Sequence, residues 1–407
     1  MTNTDANAGS WVLRRAQLAD GSPADVAVRD GRIDTVGSVD HDDEGGVVVD
    51  LDGYLLLPAA VEPHAHLDKA FLADVVTNET GDLMGAIDAM DRARDRLNLA
   101  ETVARAERAA RLMAANGFRA VRTHADVTVG NGLRSIEAMV EVRRRVADVI
   151  DVQIVALAGT PLMGPEGGPT RSLMRDAVDA GADLVGGCPH LEAHRDPGYV
   201  PAATEFLLDL AVSTQRGVDL HTDENLDPTT NGLADLAQRV LGTGFAHPVT
   251  ASHCVNLSMR PEAEQRRVAE LVARAGISVV ALPVTNLYLQ GRDQQQAMPR
   301  GVTAVKALRD AGVNLAAGAD NLQDPFNPVG KACPFETAWL LTVVAHQLPA
   351  DAWHAVTHAA ATAIGAPDVR IEAGAPADLV AIRATSLREA IATGSPDRIV
   401  WRHGHRL

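Results

Sequence analysis

The chain has 407 residues and a formal net charge of −16, with 46% hydrophobic and 22% charged residues. That balance belongs to a soluble globular enzyme, and the acidic charge argues against nucleic acid or an anionic membrane surface as partner, because phosphates are repelled. No apolar run reaches the length of a membrane span, and Met1 to Ser10 lack the regions of a signal peptide, so a frayed tail on a cytoplasmic protein is expected.

Short β-rich runs come first: Trp11-Val-Leu, Asp25-Val-Ala-Val, Arg32-Ile-Asp-Thr-Val and Val47-Val-Val, parted by turns such as Asp30-Gly31 and Asp52-Gly53. The same texture returns after about Ala373, in Leu379-Val-Ala-Ile and Arg398-Ile-Val-Trp. Neither end has enough apolar surface to stand alone. Residues 1–57 and 368–407 are therefore expected to pair into one small β-sandwich domain beside a central unit, 58–367.

The apolar run Tyr54–Val61 leads into Glu62-Pro-His-Ala-His-Leu-Asp-Lys69. Read as one strand, it places His64 and His66 on the same face at its end, because strand side chains alternate with period two. Two imidazoles on one face can share a divalent metal; a pair of surface histidines is the plainer alternative. Further β-rich runs follow near Ala120–His124, Val152–Leu157, Leu184–Val185, Val218–His221, Val249–His253, Ile277–Leu282 and Val313–Ala317. Segments with helical spacing separate them, several ending in a capping glycine (Gly117, Gly181, Gly276, Gly312). Eight strands, each followed by a helix, read most simply as a (β/α)8 TIM barrel. A doubly wound open sheet is the alternative, but no Gly-x-Gly-x-x-Gly turn follows any strand. Residues 334–347 and 350–364 read as two further helices.

In such barrels the active site gathers at the C-terminal ends of the strands. The polar side chains with chemistry fall there: His64 and His66; His124 and Asp126; His190 and Glu192; His221, Asp223 and Glu224; His253; Asp320 and Asn321. Each also has a structural reading as a hydrogen-bonded barrel residue, which applies first to His124 and His190. The three cysteines, Cys188, Cys254 and Cys333, are far apart and odd in number, as in a reducing compartment without disulfides. Cys254 reads as a buried, inert thiol.

These pieces, in this order, resemble the amidohydrolase superfamily, and within it the cytosine deaminase branch. The matching stretches are Val61-Glu-Pro-His-Ala-His-Leu-Asp68, Val121-Arg-Thr-His-Ala-Asp-Val127, Cys188-Pro-His-Leu-Glu192, His221-Thr-Asp-Glu224, Thr250-Ala-Ser-His253, Leu289-Gln-Gly-Arg292 and Gly318-Ala-Asp-Asn-Leu-Gln-Asp-Pro-Phe326. His-Leu-Asp-Lys69 also resembles the s-triazine aminohydrolases. The resemblance implies one divalent ion per chain, zinc or iron, held by His64, His66, His221 and Asp320, with Glu224 and His253 beside the water that it activates. The residue types suit that chemistry. Asp320 can accept the proton of the attacking water, Glu224 can pass a proton to a ring nitrogen and the leaving amine, and His253 can stabilise charge in the tetrahedral intermediate. Binuclear members bridge their metals with a carboxylated lysine at the end of strand four. Here that end reads Val185-Gly-Gly-Cys-Pro-His, and lysine occurs only at Lys69, Lys306 and Lys331, so a mononuclear site is expected.

Two departures concern the substrate. Gly159 stands where cytosine deaminases carry a glutamine, and Asn321 where they carry a second aspartate. A buried edge left unpaired costs about 1–3 kcal/mol, so cytosine is not expected to be the best substrate. Gly159 should leave room for a bulkier or N-alkylated ring. Lys69 reads either as a salt bridge to a rim carboxylate or as a contact to a carbonyl-rich substrate, and Phe326 as a cap on the ring. The expected activity is removal of an amino or alkylamino group from a small pyrimidine- or s-triazine-like heterocycle by water, in a homo-oligomer. Hydrolysis of a cyclic amide, as in hydantoin or imidazolone, is the enzymatic alternative. A non-catalytic scaffold is the other, and the retained ligand set speaks against it.

Overall fold

The computed structural model describes residues 10–39 and 46–407; the expected tail at Met1 to Ser10 lies almost wholly outside them. The β-branched runs near the start form β1 (Trp11–Gln17), β2 (Pro23–Arg29), β3 (Arg32–Gly37), β4 (Val47–Asp50) and β5 (Tyr54–Pro58). The buried runs of the central unit form β6 (Ala60–Ala65), β7 (Phe118–Val127), β8 (Asp151–Ala158), β9 (Leu184–Gly187), β10 (Gly217–Thr222), β11 (Val249–His253), β12 (Ser278–Ala281) and β13 (Leu315–Ala317). Near the end come β14 (Leu379–Arg383), β15 (Arg398–Arg402) and β16 (His405–Arg406).

Strands β6 to β13 pair in parallel in sequence order, with helices packed outside: a (β/α)8 barrel. Closure is made not by a strand pair but at the site itself. Ala65 bridges Asp320, the Asp320 amide donates to the His64 carbonyl at 3.0 Å, and the His66 amide donates to the Asp320 carbonyl at 3.3 Å. Inside, backbones pass closely. A Cβ added to Gly186 of β9 would lie 2.8 Å from the Asp219 carbonyl oxygen of β10, so this position admits no side chain. The four glycines expected to cap helices all lie at positive φ.

The strands from the two ends form a separate domain in the order β16-β15-β14-β5-β1-β2-β3, with β4 beside β1. Leu13, Val26, Ile33, Leu56, Leu379 and Trp401 fill its core. Each such side chain contributes about 1.5–3 kcal/mol on full burial, and both chain ends are needed to supply them.

Two expected elements are divided in the structure. The apolar run Tyr54–Val61 is not one strand: β5 ends at Pro58 opposite Leu379, and β6 begins at Ala60. The Ala59 amide donates to the Asp378 carbonyl of the small domain at 2.9 Å, and the Ala60 amide to the Gly117 carbonyl of the barrel at 2.8 Å. Proline lacks the N–H that would continue the first ladder, and the chain changes sheet there. The expected helix 350–364 is likewise two, Pro349–Val356 and His358–Ile364, broken at Thr357. The Thr357 hydroxyl donates to the Trp353 carbonyl at 2.7 Å, offering the backbone an alternative to the helical ladder. No helix among the described residues is long and apolar enough to cross a membrane.

Candidate active site

The strand ends bring His64, His66, His221 and Asp320 together, all buried. His66 Nε2 lies 3.2 Å from His221 Nε2 and 3.3 Å from Asp320 Oδ1; His64 Nε2 lies 3.7 Å from that same oxygen. Burial first, and then the crowding of imidazoles that cannot all be protonated together, with Lys69 beside His66 and Arg122 near His64, holds these imidazoles well below their ordinary pKa, so they are neutral. Two neutral ring nitrogens at 3.2 Å need a proton or a cation between them. His64 Nε2, His221 Nδ1 and both Asp320 carboxylate oxygens have no hydrogen-bond partner among the described residues. Buried polar atoms are normally paired, and each left unpaired costs about 1–3 kcal/mol. Burial, with Glu224 and Asp324 nearby, also pushes the Asp320 carboxyl well above its usual range, which a cation would reverse. Three imidazoles and one carboxylate are a donor set that suits a divalent zinc or iron ion.

The neighbourhood is wider than those four residues. His64, His253 and Asp320 place ligand atoms within 4.8 Å of one another, as do His64, His124 and His221. The His124 ring lies 3.9 Å from that of His64, centroid to centroid, and neither of its nitrogens is hydrogen-bonded among the described residues. His190 Nδ1 sits 3.2 Å from the His221 carbonyl. Cys254 is buried, and burial pushes its thiol well above the ordinary value. Asp320 (φ +67) and His253 (φ +69) adopt left-handed backbone conformations, strained for non-glycine residues and common at functional sites.

Glu224 and His253 face the same space. Glu224 Oε1 lies 3.5 Å from His253 Nδ1, and Asn286 Nδ2 donates to that nitrogen at 3.0 Å. With Nδ1 accepting, His253 carries its hydrogen on Nε2, which has no partner among the described residues. Burial lowers the His253 pKa to about 3 and raises that of the Glu224 carboxyl to about 8. The site thus holds a neutral imidazole donor next to a carboxylic acid.

These groups line a cavity of about 330 Å³, and so do Lys69, Gly159, Asn321 and Phe326. Lys69 is buried; its Nζ donates to Asp126 at 2.7 Å and to Asp68 at 3.2 Å. Burial opposes its charge, but Asp126 and Asp68 outweigh burial and raise the pKa. The salt bridge that the sequence offered as one reading is present. Asn321 Nδ2 donates to Asp324 Oδ2 at 2.8 Å and its Oδ1 accepts from Thr285 at 3.3 Å, leaving one side-chain hydrogen without a partner among the described residues. Gly159 borders the cavity, and the place where a side chain on it would start is filled: a Cβ added there would overlap the Thr128 methyl group. Phe326 is held by its amide, which donates to Asp324 Oδ1 at 2.8 Å.

One wall had not been singled out in the sequence. The helix Leu83–Ala93 presents Leu83, Ile87 and Met90 to the cavity. Its signal was legible: Asp82 caps it, accepting the Gly85 amide at 2.7 Å, and the apolar residues follow helical spacing.

Residues 72–406 match the amidohydrolase family. The chain is 33% identical over 388 residues to a pterin deaminase of Rhizobium rhizogenes, spanning 94% of this chain and 87% of that protein. The structure of 5-methylcytosine deaminase from Klebsiella pneumoniae liganded with phosphonocytosine matches with a TM-score of 0.87 at 30% identity, over 97% of each chain. N-isopropylammelide isopropylaminohydrolase from Burkholderia multivorans matches with a TM-score of 0.84 at 28% identity, over 98% of this chain and 97% of that one. Barrel, appended β-domain and unpaired donor cluster agree with these matches: the chain belongs to the amidohydrolase family, as a hydrolase of carbon–nitrogen bonds other than peptide bonds.

Proposed function

We propose that the chain is a mononuclear aminohydrolase that removes an amino or alkylamino group from a nitrogen heterocycle, with fused pterin-like rings ahead of single pyrimidines. The observation that carries the reading is the carboxylic acid of Glu224, 3.5 Å from His253, in the cavity lined by His66, His221 and Asp320. The volume of about 330 Å³ and the apolar wall of Leu83, Ile87 and Met90 suit two fused rings better than one. The pterin deaminase similarity supports the same choice.

His64, His66, His221 and Asp320 would hold one zinc or iron ion, which when bound acidifies water towards neutral pH. The absence of a lysine near Gly187-Cys188, at the end of β9, supports one ion rather than two. Asp320 accepts the proton lost as water attacks the ring carbon. Glu224 in its acid form protonates the neighbouring ring nitrogen. As a carboxylate it then takes the proton of the added hydroxyl and gives it to the departing amine as the C–N bond breaks and the C=O forms. The proton held by Asp320 restores the Glu224 acid, so both fragments leave neutral. The Nε2–H of His253 stabilises the negative charge that develops at the attacked carbon's oxygen. The second amide hydrogen of Asn321 orients a ring carbonyl, Phe326 covers the ring, and the helix Leu83–Ala93 excludes bulk water.

Purified protein with its metal content measured should be assayed for amine release from pterin, cytosine, 5-methylcytosine, ammelide and N-isopropylammelide. Pterin is expected to lead. Cytosine as the best substrate would overturn the ring-size argument, and ring opening without amine release would instead favour cyclic-amide hydrolysis.

A further inference from the structure

The nitrogen of His64 that faces away from the donor cluster enters a chain of buried polar groups. His64 Nδ1 lies 2.9 Å from Ser252 Oγ, Ser252 Oγ 3.1 Å from Asp219 Oδ1, and Asp219 Oδ2 2.7 Å from Arg122 Nη1. Arg122 also donates to Gln153 Oε1 at 2.7 Å and to Thr250 Oγ1 at 3.0 Å. His64, Ser252 and Asp219 are wholly buried and Arg122 is 1% exposed. The chain crosses the barrel interior from β7 and β8 through β10 and β11 to β6.

Elimination gives the direction of each bond. Arginine has only donors, so Asp219 Oδ2 accepts. The ionised form holds, because a neutral acid would leave a buried guanidinium without a counter-charge. A carboxylate only accepts, so the Ser252 hydroxyl hydrogen points at Asp219. The Ser252 oxygen then receives the hydrogen on His64 Nδ1. What remains is Nε2, with its lone pair free and no hydrogen-bond partner among the described residues, 3.7 Å from Asp320 Oδ1.

We propose that Arg122, Asp219 and Ser252 are positioning residues that fix the tautomer and ring plane of His64 and thereby set the affinity of the site for its divalent ion. The proposal rests on the reading of His64 as a ligand. The other two imidazoles are held differently: His66 Nδ1 faces the Lys69 Nζ at 3.3 Å, which is itself bonded to Asp126 and Asp68, and His221 Nδ1 is unpartnered among the described residues. Outer partners of this kind typically contribute roughly 10–100-fold to metal affinity.

The test is a titration of metal-free protein with Zn²⁺ against a competing chelator, for wild type, Ser252→Ala, Asp219→Asn, the double variant and His64→Asn, with melting of each metal-free protein. Ser252→Ala should bind zinc roughly 10–100-fold more weakly, a loss larger than any drop in its metal-free stability. Adding Asp219→Asn to Ser252→Ala should weaken zinc binding no further, because the two act through one chain. Wild-type affinity in Ser252→Ala, while His64→Asn loses zinc, overturns the positioning role and leaves the ligand reading intact. Wild-type affinity in His64→Asn overturns both. Additive losses, or a loss matched by lower metal-free stability, also overturn the proposal, since packing alone would explain them.

Discussion

The amide of Asp320 donates to the carbonyl of His64 at 3.0 Å, so two proposed ligands of one ion also take part in closing the barrel. Ligand geometry and barrel closure are therefore one structural problem. Substituting Asp320 by Ala risks both, because alanine tolerates φ +67 poorly, whereas asparagine adopts left-handed backbone more readily.

Asp320→Asn should accordingly fold and melt cooperatively, yet lose turnover and most bound metal, while wild type carries close to one ion per chain. Elemental analysis with thermal melting checks this. Two ions per wild-type chain, or full activity after complete chelation, would sink the mononuclear reading.

Glu224→Gln keeps the shape of the side chain but cannot move a proton. Its metal content should match wild type while kcat falls at least ~100-fold, the usual scale of general acid–base help. Normal turnover would place the proton shuttle on another residue.

Burial alone raises the Glu224 carboxyl from 4.5 to about 8 in the metal-free site. The folded state thus holds this proton more tightly than the unfolded chain. The contribution is fully present below about 4.5 and is lost as pH rises through about 8, on the order of a few kcal/mol. Metal-free Glu224→Gln should lose less stability across that window than metal-free wild type. Some slope remains, because burial raises Glu62 to about 8 as well. Identical slopes in denaturant melts would contradict the burial of an acid at Glu224.

The Thr128 methyl stands where a side chain at Gly159 would begin. Gly159→Gln alone should cost about 1–3 kcal/mol by overpacking. Adding Thr128→Ser removes the methyl, keeps the hydroxyl that accepts the Asn131 amide, and should recover most of the loss. If the double variant is no more stable than Gly159→Gln, the clash is not the obstacle.

Asn321→Asp places a second carboxyl at the position now donating to Asp324 at 2.8 Å. The two acids must share a proton or repel, and the donor to a ring carbonyl is gone. kcat/KM for carbonyl-bearing rings should fall relative to rings that present N–H groups, by about the 10–100-fold that one polar match supplies. An unchanged ratio between ammelide and cytosine would show that Asn321 does not read the ring.

The barrel and the pairing of the two chain ends were legible because each rests on local pattern. Apolar runs recur with helical segments between them, and polar side chains with chemistry sit where the runs stop. What escaped rests on distant partners. The run Tyr54–Val61 looks continuous because the bonds that divide it are made by Asp378 and Gly117. The crowding at Gly159 comes from Thr128, beyond the end of the neighbouring strand. Arg122 and Asp219 gave a cue of another sort: charges inside apolar strands, which the barrel must pair with each other.

The pairing of β5 with β14 bears on the order in which the protein is made. β5 leads straight into the strand that carries His64, yet its partner is made after all the barrel strands. Until Leu379–Arg383 emerges, the ladder beside Pro58 lacks one side, although every barrel strand has already been synthesised. A nascent chain that stops short of Arg383 holds all the proposed ligands but leaves the β5 edge open to other chains. The strand that leads into the His64 strand is thus anchored only after every barrel strand has been made.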